Sequence, residues 1–390
     1  MKKNIGLLTC YCAFFCIKII AQKPISNLEH AAVQLNYAFE EIAKAKQTDA
    51  KGVSPRTTRG DTLILVPSRD WTSGFFAGNL WLMYALTHDK KWQQSAEIFT
   101  APLEIEKKNG TTHDMGFKMY CSFGNGFRLT GTPQYKAVLL ESARTLTTRF
   151  NPKIGCIRSW DHHKEVWDFP VIIDNMMNLE LLFWAFKQTN DSLFYKIAVS
   201  HANTTLKNHF RPDFSSYHVV SYDTTTGQVA KRNTHQGYSD NSAWARGQSW
   251  GLYAFTMCFR ETGKVEYLNQ AENIAQYILK NPNLPKDLVP YWDFNAPNIP
   301  NAPRDASAAA IMASAFYELS VLVPKKAKFY RKTADKIMQS LSTTYRAAPK
   351  TNKGFLLTQS TGHLPNNSEI NVPIVYADYY YLEALLRKQN

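Results

Sequence analysis

Six segments of this chain repeat one arrangement: a loop rich in Gly, Asp, Asn, Trp or Ser, followed directly by a dense apolar stretch of helical length. They are WTSGFFAGNLWLMYALT from Trp71, HDMGFKMYCSFGNGFRLTG from His113, DFPVIIDNMMNLELLFWAFKQT from Asp168, ARGQSWGLYAFTMCFRETG from Ala245, RDASAAAIMASAFYELS from Arg304 and IVYADYYYLEALLRK from Ile374. Between Ile172 and Phe186 apolar residues occur around the whole circumference, so a helix there must be covered on every side. Most of the six are separated by amphipathic patterns such as KWQQSAEIFTAPLE and QYKAVLLESARTLTTRF. Helices buried all round, alternating with helices buried on one face, predict two concentric layers: an all-α fold, an (α/α)6 barrel of six helical hairpins. Small residues, as in DASAAAIMASA, allow the inner helices to approach closely. The stretch YHVVSYDTTTGQVAK from Tyr217 alternates and carries a Thr-Gly turn, which predicts a β-hairpin on a loop.

Residues 1–21, MKKNIGLLTCYCAFFCIKIIA, open with two lysines, continue apolar and end in a small residue before Gln22, the layout of a secretory signal peptide. The expectation is a single catalytic domain over 22–390, exported to the periplasm or secreted. Cys10 and Cys16 lack the small residues that precede a lipid-modified cysteine, so no membrane anchor is expected. Three of the six cysteines belong to the leader, and Cys121, Cys156 and Cys258 cannot form a closed disulfide framework. The net charge of +13 falls to +10 without Lys2, Lys3 and Lys18. Such a balance fits an acidic partner or a basic, solvated surface. No Lys/Arg run of nucleic-acid type is present, so no nucleic acid partner is expected, and the oligomeric state is not legible.

If the inner helices run in one direction, Trp71, Asp114, Asp174, Arg246 and Arg304 all fall at or just before N-terminal ends and share one mouth. Helix N-termini offer unpaired N–H groups and partial positive charge, which suit an anionic ligand. Asp174 follows three apolar residues, whereas a capping Asp would precede them, although a plain helix-start Asp remains an alternative. Two buried carboxylates near one another cannot both ionise easily, so one is driven toward the protonated form of a general acid. Trp71, Phe117, Trp160 and Trp250 can line such a mouth, and aromatic faces suit the C–H faces of a sugar ring. His113, His218, His235 and the pair His162 and His163 show no i, i+4 zinc spacing, and no Cys pair completes a site, so neither metal nor other cofactor is expected. No GxSxG elbow supports Ser249 as a nucleophile.

The motifs HDMGF, IIDNMMNLELLFWA, HQGYSDNSAWARGQSWGLY and RDASAAAI, in this order across nearly the whole chain after the leader, resemble the unsaturated glucuronyl hydrolases of glycoside hydrolase family 88. The resemblance implies the (α/α)6 barrel and removal of a 4,5-unsaturated uronic acid from the non-reducing end of lyase-generated acidic oligosaccharides. It implies an acid/base role for Asp174 and a partner role for Asp114. It also implies a sugar-binding wall of Trp71, His113, Phe117, Trp160, His218, His235, Gln236, Arg246, Trp250 and His363, with Arg246 and Gln236 holding the substrate carboxylate. Family members that accept sulfated chondroitin units carry a Ser-x-x-Ser-x-Lys element near the C-terminus. Here the corresponding stretch, TQSTGHLPNNSEINVPIVY, lacks it. Two alternatives stand beside this reading: the related unsaturated rhamnogalacturonyl hydrolases, against which HDMGF argues, and a non-catalytic binder of acidic oligosaccharides, against which two buried aspartates argue.

Overall fold

The computed structural model describes residues 25–389, so the signal segment expected at 1–21 lies outside the described residues. The first helix, α1 (Asn27–Ala45), starts at Ser26 with a capping box: Ser26 accepts from the Glu29 backbone N–H while the Glu29 carboxylate accepts from that of Ser26. In chain order follow α2 (Ser73–Thr87), α3 (Lys90–Thr100), α4 (Asn125–Thr130), α5 (Pro133–Thr147), α6 (Leu179–Thr189), α7 (Ser192–Asn208), α8 (Ala245–Thr262), α9 (Val265–Lys280), α10 (Ala306–Leu322), α11 (Ala327–Thr343) and α12 (Val375–Lys388). Odd-numbered helices form the outer layer and even-numbered helices the inner one. In α9 only Tyr267, Gln270, Ala271, Ile274, Ala275 and Ile278 are buried, a single stripe. In α2 every residue from Ser73 to Met83 is buried. The inner ring closes where α12 packs on α2. The arrangement is the expected (α/α)6 barrel.

The two ends of the barrel are connected differently. Where an inner helix hands over to an outer one, the turn is tight: His88, Gly131, Asn190 and Gly263 each end a helix in the left-handed region. In two of these turns an Asp caps the next helix, Asp89 on α3 and Asp191 on α7. Where an outer helix hands over to an inner one, long loops carry short antiparallel strands: β1 (Ser54–Arg59) with β2 (Thr62–Val66), β3 (Phe150–Asn151) with β4 (Cys156–Ile157), β5 (Phe169–Ile172), β6 (Val219–Tyr222) and β7 (Val229–Asn233) in one sheet, and β8 (Ser360–His363) with β9 (Ser368–Val372). The hairpin expected from Tyr217 is β6–β7, with β5 added at its edge.

Two inner segments differ from the plain helices expected of them. Gly116–Gly124 is wound as a π-helix before α4. The stretch around Asp174 is strand β5, then a 3₁₀ turn over Ile173–Asn178, then α6. This explains why Asp174 follows apolar residues: Val171 and Ile172 are buried strand residues, and the helix begins only after them. Small residues serve close approach at α2, where a Cβ on Gly74 would lie 2.2 Å from the Lys118 carbonyl oxygen of the π-helix.

Candidate active site

One side chain fixes the two aspartates relative to each other. Asn178 Oδ1 accepts from the backbone N–H of Gly116 at 2.8 Å and of Phe117 at 3.1 Å, so the 3₁₀ turn carrying Asp174 caps the π-helix that follows Asp114. Gly116 is required there, because a Cβ would lie 2.7 Å from Asn178 Cα. Asn175, next to Asp174, donates to the Ile157 carbonyl at 2.7 Å and ties the same turn to β4. Asp114 Oδ2 accepts from Thr112 Oγ1 at 2.6 Å, and its Oδ1 lies 3.3 Å from His113 Nε2.

Asp174 is buried, and its Oδ2 makes no hydrogen bond. Burial pushes its carboxyl up to about 7; the charge of Asp114 adds to that rise, while Arg246 opposes it. The group beside it has a defined proton. His218 Nδ1 accepts from the backbone N–H groups of His235 at 2.9 Å and Gln236 at 3.1 Å, so the neutral ring carries its proton on Nε2. That Nε2 lies 3.7 Å from Asp174 Oδ2. Burial holds His218 well below its ordinary value, chiefly by desolvation, so it faces Asp174 as a neutral donor.

The mouth at the N-terminal ends of the inner helices holds a cavity of about 410 Å³. Of the residues expected in the site, Trp71, His113, Asp114, Phe117, Trp160, Asp174, His235, Gln236 and His363 line it. His218, Arg246 and Trp250 do not; they stand behind the wall. Arg246 is 1% exposed, and three of its five N–H donors are taken: Nη1 donates to Asp305 Oδ2 at 2.7 Å and to the Thr361 carbonyl at 2.6 Å, and Nη2 to the Gly362 carbonyl at 2.6 Å. Arg246 thereby tethers the β8 strand over the mouth and supplies positive charge behind Asp174; toward a substrate carboxylate it has the Nε–H and the second Nη2–H. Trp250 is fully buried against Phe117 and Tyr380. Arg304 turns away from the mouth to Asp287 and Tyr345.

The β8–β9 hairpin closes one side. Gln236 Nε2 donates to the Gly362 carbonyl at 3.1 Å, and His363 Nε2 meets the His235 carbonyl at 2.8 Å. Trp71 packs between Phe117 and Tyr376, and Trp160 stacks on His162 with rings 5.3 Å apart and nearly parallel. Residues that sequence reasoning missed include Arg56, Thr112, Ser159, Asn366, Ser368, Glu369 and Tyr376. Tyr376 starts an inner helix, so the rule that found Trp71 would have found it; Arg56 sits in a strand that carries no such signal. Among the described residues no group of three or more His, Cys, Asp or Glu is arranged to hold a metal ion.

The Glycosyl Hydrolase Family 88 model matches residues 46–386. An unsaturated glucuronyl hydrolase of Formosa agariphila is 55% identical over 327 residues, covering 83% of this chain and 81% of the relative. An unsaturated chondroitin disaccharide hydrolase of Streptococcus pneumoniae is 31% identical, covering 83% of each. The crystal structure of an unsaturated glucuronyl hydrolase specific for heparin superimposes with a TM-score of 0.87 at 48% identity, covering 93% of this chain and 95% of that one. The chain belongs to Glycosyl Hydrolase Family 88.

Proposed function

We infer that this enzyme is an unsaturated glucuronyl hydrolase, releasing a 4,5-unsaturated uronic acid from the non-reducing end of lyase-generated acidic oligosaccharides, with Asp174 as its acid and base. The observation that carries the assignment of Asp174 is a buried carboxyl with one unbonded oxygen at a sugar-sized mouth, which burial pushes up to about 7. Such a group holds a proton at neutral pH and can release it.

The C4=C5 bond of the substrate is conjugated to the ring oxygen. Asp174 gives its proton to C4, which leaves positive character shared by C5 and the ring oxygen. His218 Nε2–H faces the carboxylate so formed and stabilises it. Water then adds at C5 and returns its proton to Asp174. The resulting hemiketal opens to a C5 ketone and a C1 hemiacetal, which collapses to an aldehyde and releases the remaining chain as an alcohol. No attack at the anomeric carbon occurs, so the carboxylate-separation rule for glycosidases does not apply. Trp71 and Phe117 supply faces for the flattened ring, and Gln236 and His235 supply neutral donors for its carboxylate.

The leader and the absence of a lipid-type cysteine support export to the periplasm or medium; N-terminal sequencing of the exported protein, with a start near Gln22, tests it. The parent polysaccharide is tested with lyase-treated glucuronan-type, chondroitin, heparin and ulvan oligosaccharides, following loss of the ultraviolet absorbance of the conjugated double bond. Turnover of at least one class is expected; absorbance stable with all of them would overturn the reading.

A further inference from the structure

Outside the mouth lies a separate pocket of about 420 Å³, built from the chain just past α5, the β3–β4 hairpin and the start of β5. It shares no lining residue with the catalytic cavity, yet two loops carry both. Gly110 lines the pocket while Thr111 and Thr112 line the mouth, and Arg158 and Asp161 line the pocket while Ser159, Trp160 and His162 line the mouth. Three charged side chains line the pocket: Arg149, Arg158 and Asp161.

Arg149 braces this pocket. Its Nε donates to the Arg158 carbonyl at 2.9 Å, Nη1 to the Gly110 carbonyl at 2.7 Å and to Asp161 Oδ2 at 2.8 Å, and Nη2 to Asp161 Oδ1 at 3.1 Å, so four of its five donors are spent within the fold. Arg158 stands outside that arrangement. It meets the same carboxylate only at 3.5 Å, from Nη1 to Oδ1, and its guanidinium carbon lies 4.7 Å from the centroid of the Phe169 ring. Its Nε is buried and donates to nothing among the described residues. A buried donor left unpaired is costly unless a group from outside the chain satisfies it. Burial pushes Asp161 up, but Arg149 and Arg158 outweigh it and keep it ionised. One carboxylate therefore stands against two guanidiniums, and the pocket carries an uncompensated positive charge. The Arg158 side chain is 28% exposed, so a ligand can reach it. Asn151, whose Oδ1 accepts from the Lys153 backbone N–H at 2.9 Å, has its Nδ2 donors to turn toward the same ligand.

We propose that this pocket is a second anion-binding site, in which Arg158 takes the oxygens of a carboxylate or sulfate carried by an acidic sugar farther along the oligosaccharide or by a free oxyanion. A guanidinium with a free edge matches two oxygens of such a group at once. An oligosaccharide whose terminal uronate fills the mouth can run over the rim at Thr111, Asp161 and His162, all exposed, and set a later acidic group here. The assignment to the oligosaccharide rests on the hydrolase reading above, whereas the anion site rests on its own geometry.

The test compares an unsaturated disaccharide with an unsaturated tetrasaccharide whose third sugar is a uronate, in the unmodified enzyme, Arg158→Gln and Arg158→Lys. Inorganic sulfate is titrated alongside, following the Arg158 Nε–H signal in protein with isotope-labelled arginine, a signal identified by its loss in Arg158→Gln. At low ionic strength Arg158→Gln should raise KM for the tetrasaccharide by about threefold to tenfold with kcat held, and should leave the disaccharide kinetics unchanged. Arg158→Lys, which keeps the charge but not the fork, should fall between the two. If sulfate moves the signal while neither substrate responds to Arg158→Gln, the site holds and its ligand is a free oxyanion. If sulfate does not move it and the tetrasaccharide is indifferent, or if the disaccharide suffers as much as the tetrasaccharide, the proposal is overturned. The Arg158 side chain holds no hydrogen bond that the fold would lose, and the sulfate titration reads the site in the unmodified protein. Absence of turnover on every unsaturated uronide is a different result: it overturns the hydrolase reading and leaves the titration to decide the site.

Discussion

The two ends of the barrel bury carboxylates in opposite ways. At the end of tight turns, a cavity of about 340 Å³ is lined by Glu180, Glu261, Glu383, Arg128, Arg260 and Arg387 among aromatic residues. There Arg260 meets Glu180, Glu261 and Glu318, and Arg387 meets Glu318 at 2.7 Å. Burial pushes Glu318 up, but Arg387 and Arg260 outweigh it and hold the carboxyl below its ordinary value. At the mouth, burial pushes Asp174 up and Arg246, held behind the wall, does not outweigh it. Glu318, which two guanidiniums meet, is held low and fastens helices together, while burial still raises Glu180 beside Arg260 alone; Asp174, with no pair of its own, keeps a proton it can transfer. The loops follow the same division, with two-residue turns at four of the five handovers of the fastened end and strands and long loops at the mouth.

If this contrast is correct, changes at the mouth should alter turnover and changes at the far end should alter stability. The largest effect is expected of Asp174→Asn, which keeps shape but cannot donate to C4: kcat should fall by about 10²- to 10⁴-fold with KM little changed. Next comes Arg260→Met, which strands Glu180 and takes from Glu318 one of its two guanidiniums, and should cost about 3 kcal/mol or more by denaturant unfolding. At a temperature where that variant stays folded, its kcat should remain near that of the unmodified enzyme; a large loss would erase the division between the ends. Gly116→Ala forces the π-helix away from Asn178, so a loss of about 1–3 kcal/mol together with slower turnover is expected, since this contact positions both aspartates. Arg246→Lys keeps the charge behind Asp174 but cannot reach Asp305 and two carbonyls at once. About a tenfold fall in kcat/KM, with the pH profile in place, is expected from a looser β8–β9 hairpin. A shifted profile would mean that the fork itself tunes Asp174.

The barrel was legible because the need for burial is written in periodicity: all-round apolar helices such as Ala306–Leu322 can only be inner ones. Asp114 and Asp174 were legible as acids placed among apolar residues at helix starts, and from the family motifs. Arg246 was legible as a guanidinium at the mouth, but sequence does not show that Asp305 and two carbonyls take three of its donors. The Arg56–Glu369 pair was hidden for a different reason. Its partners are 313 residues apart, and only the meeting of two loop hairpins brings them together. The π-helix was equally hidden, since the side chain that caps its start, Asn178, arrives from another segment.

The claim that Asp174 reacts as a protonated acid is tested most directly by the pH dependence of kcat/KM, which reports groups of the free enzyme. Its pKa is raised to about 7 by burial first, with the charge of Asp114 adding to it, so the active protonated form is present below that value and lost as pH rises through it. The account predicts a basic limb near neutrality in the unmodified enzyme. In Asp114→Asn the limb should move to lower pH, because removing a neighbouring negative charge lets Asp174 ionise sooner. A profile with no basic limb near neutrality, or a limb that moves upward in Asp114→Asn, would contradict it.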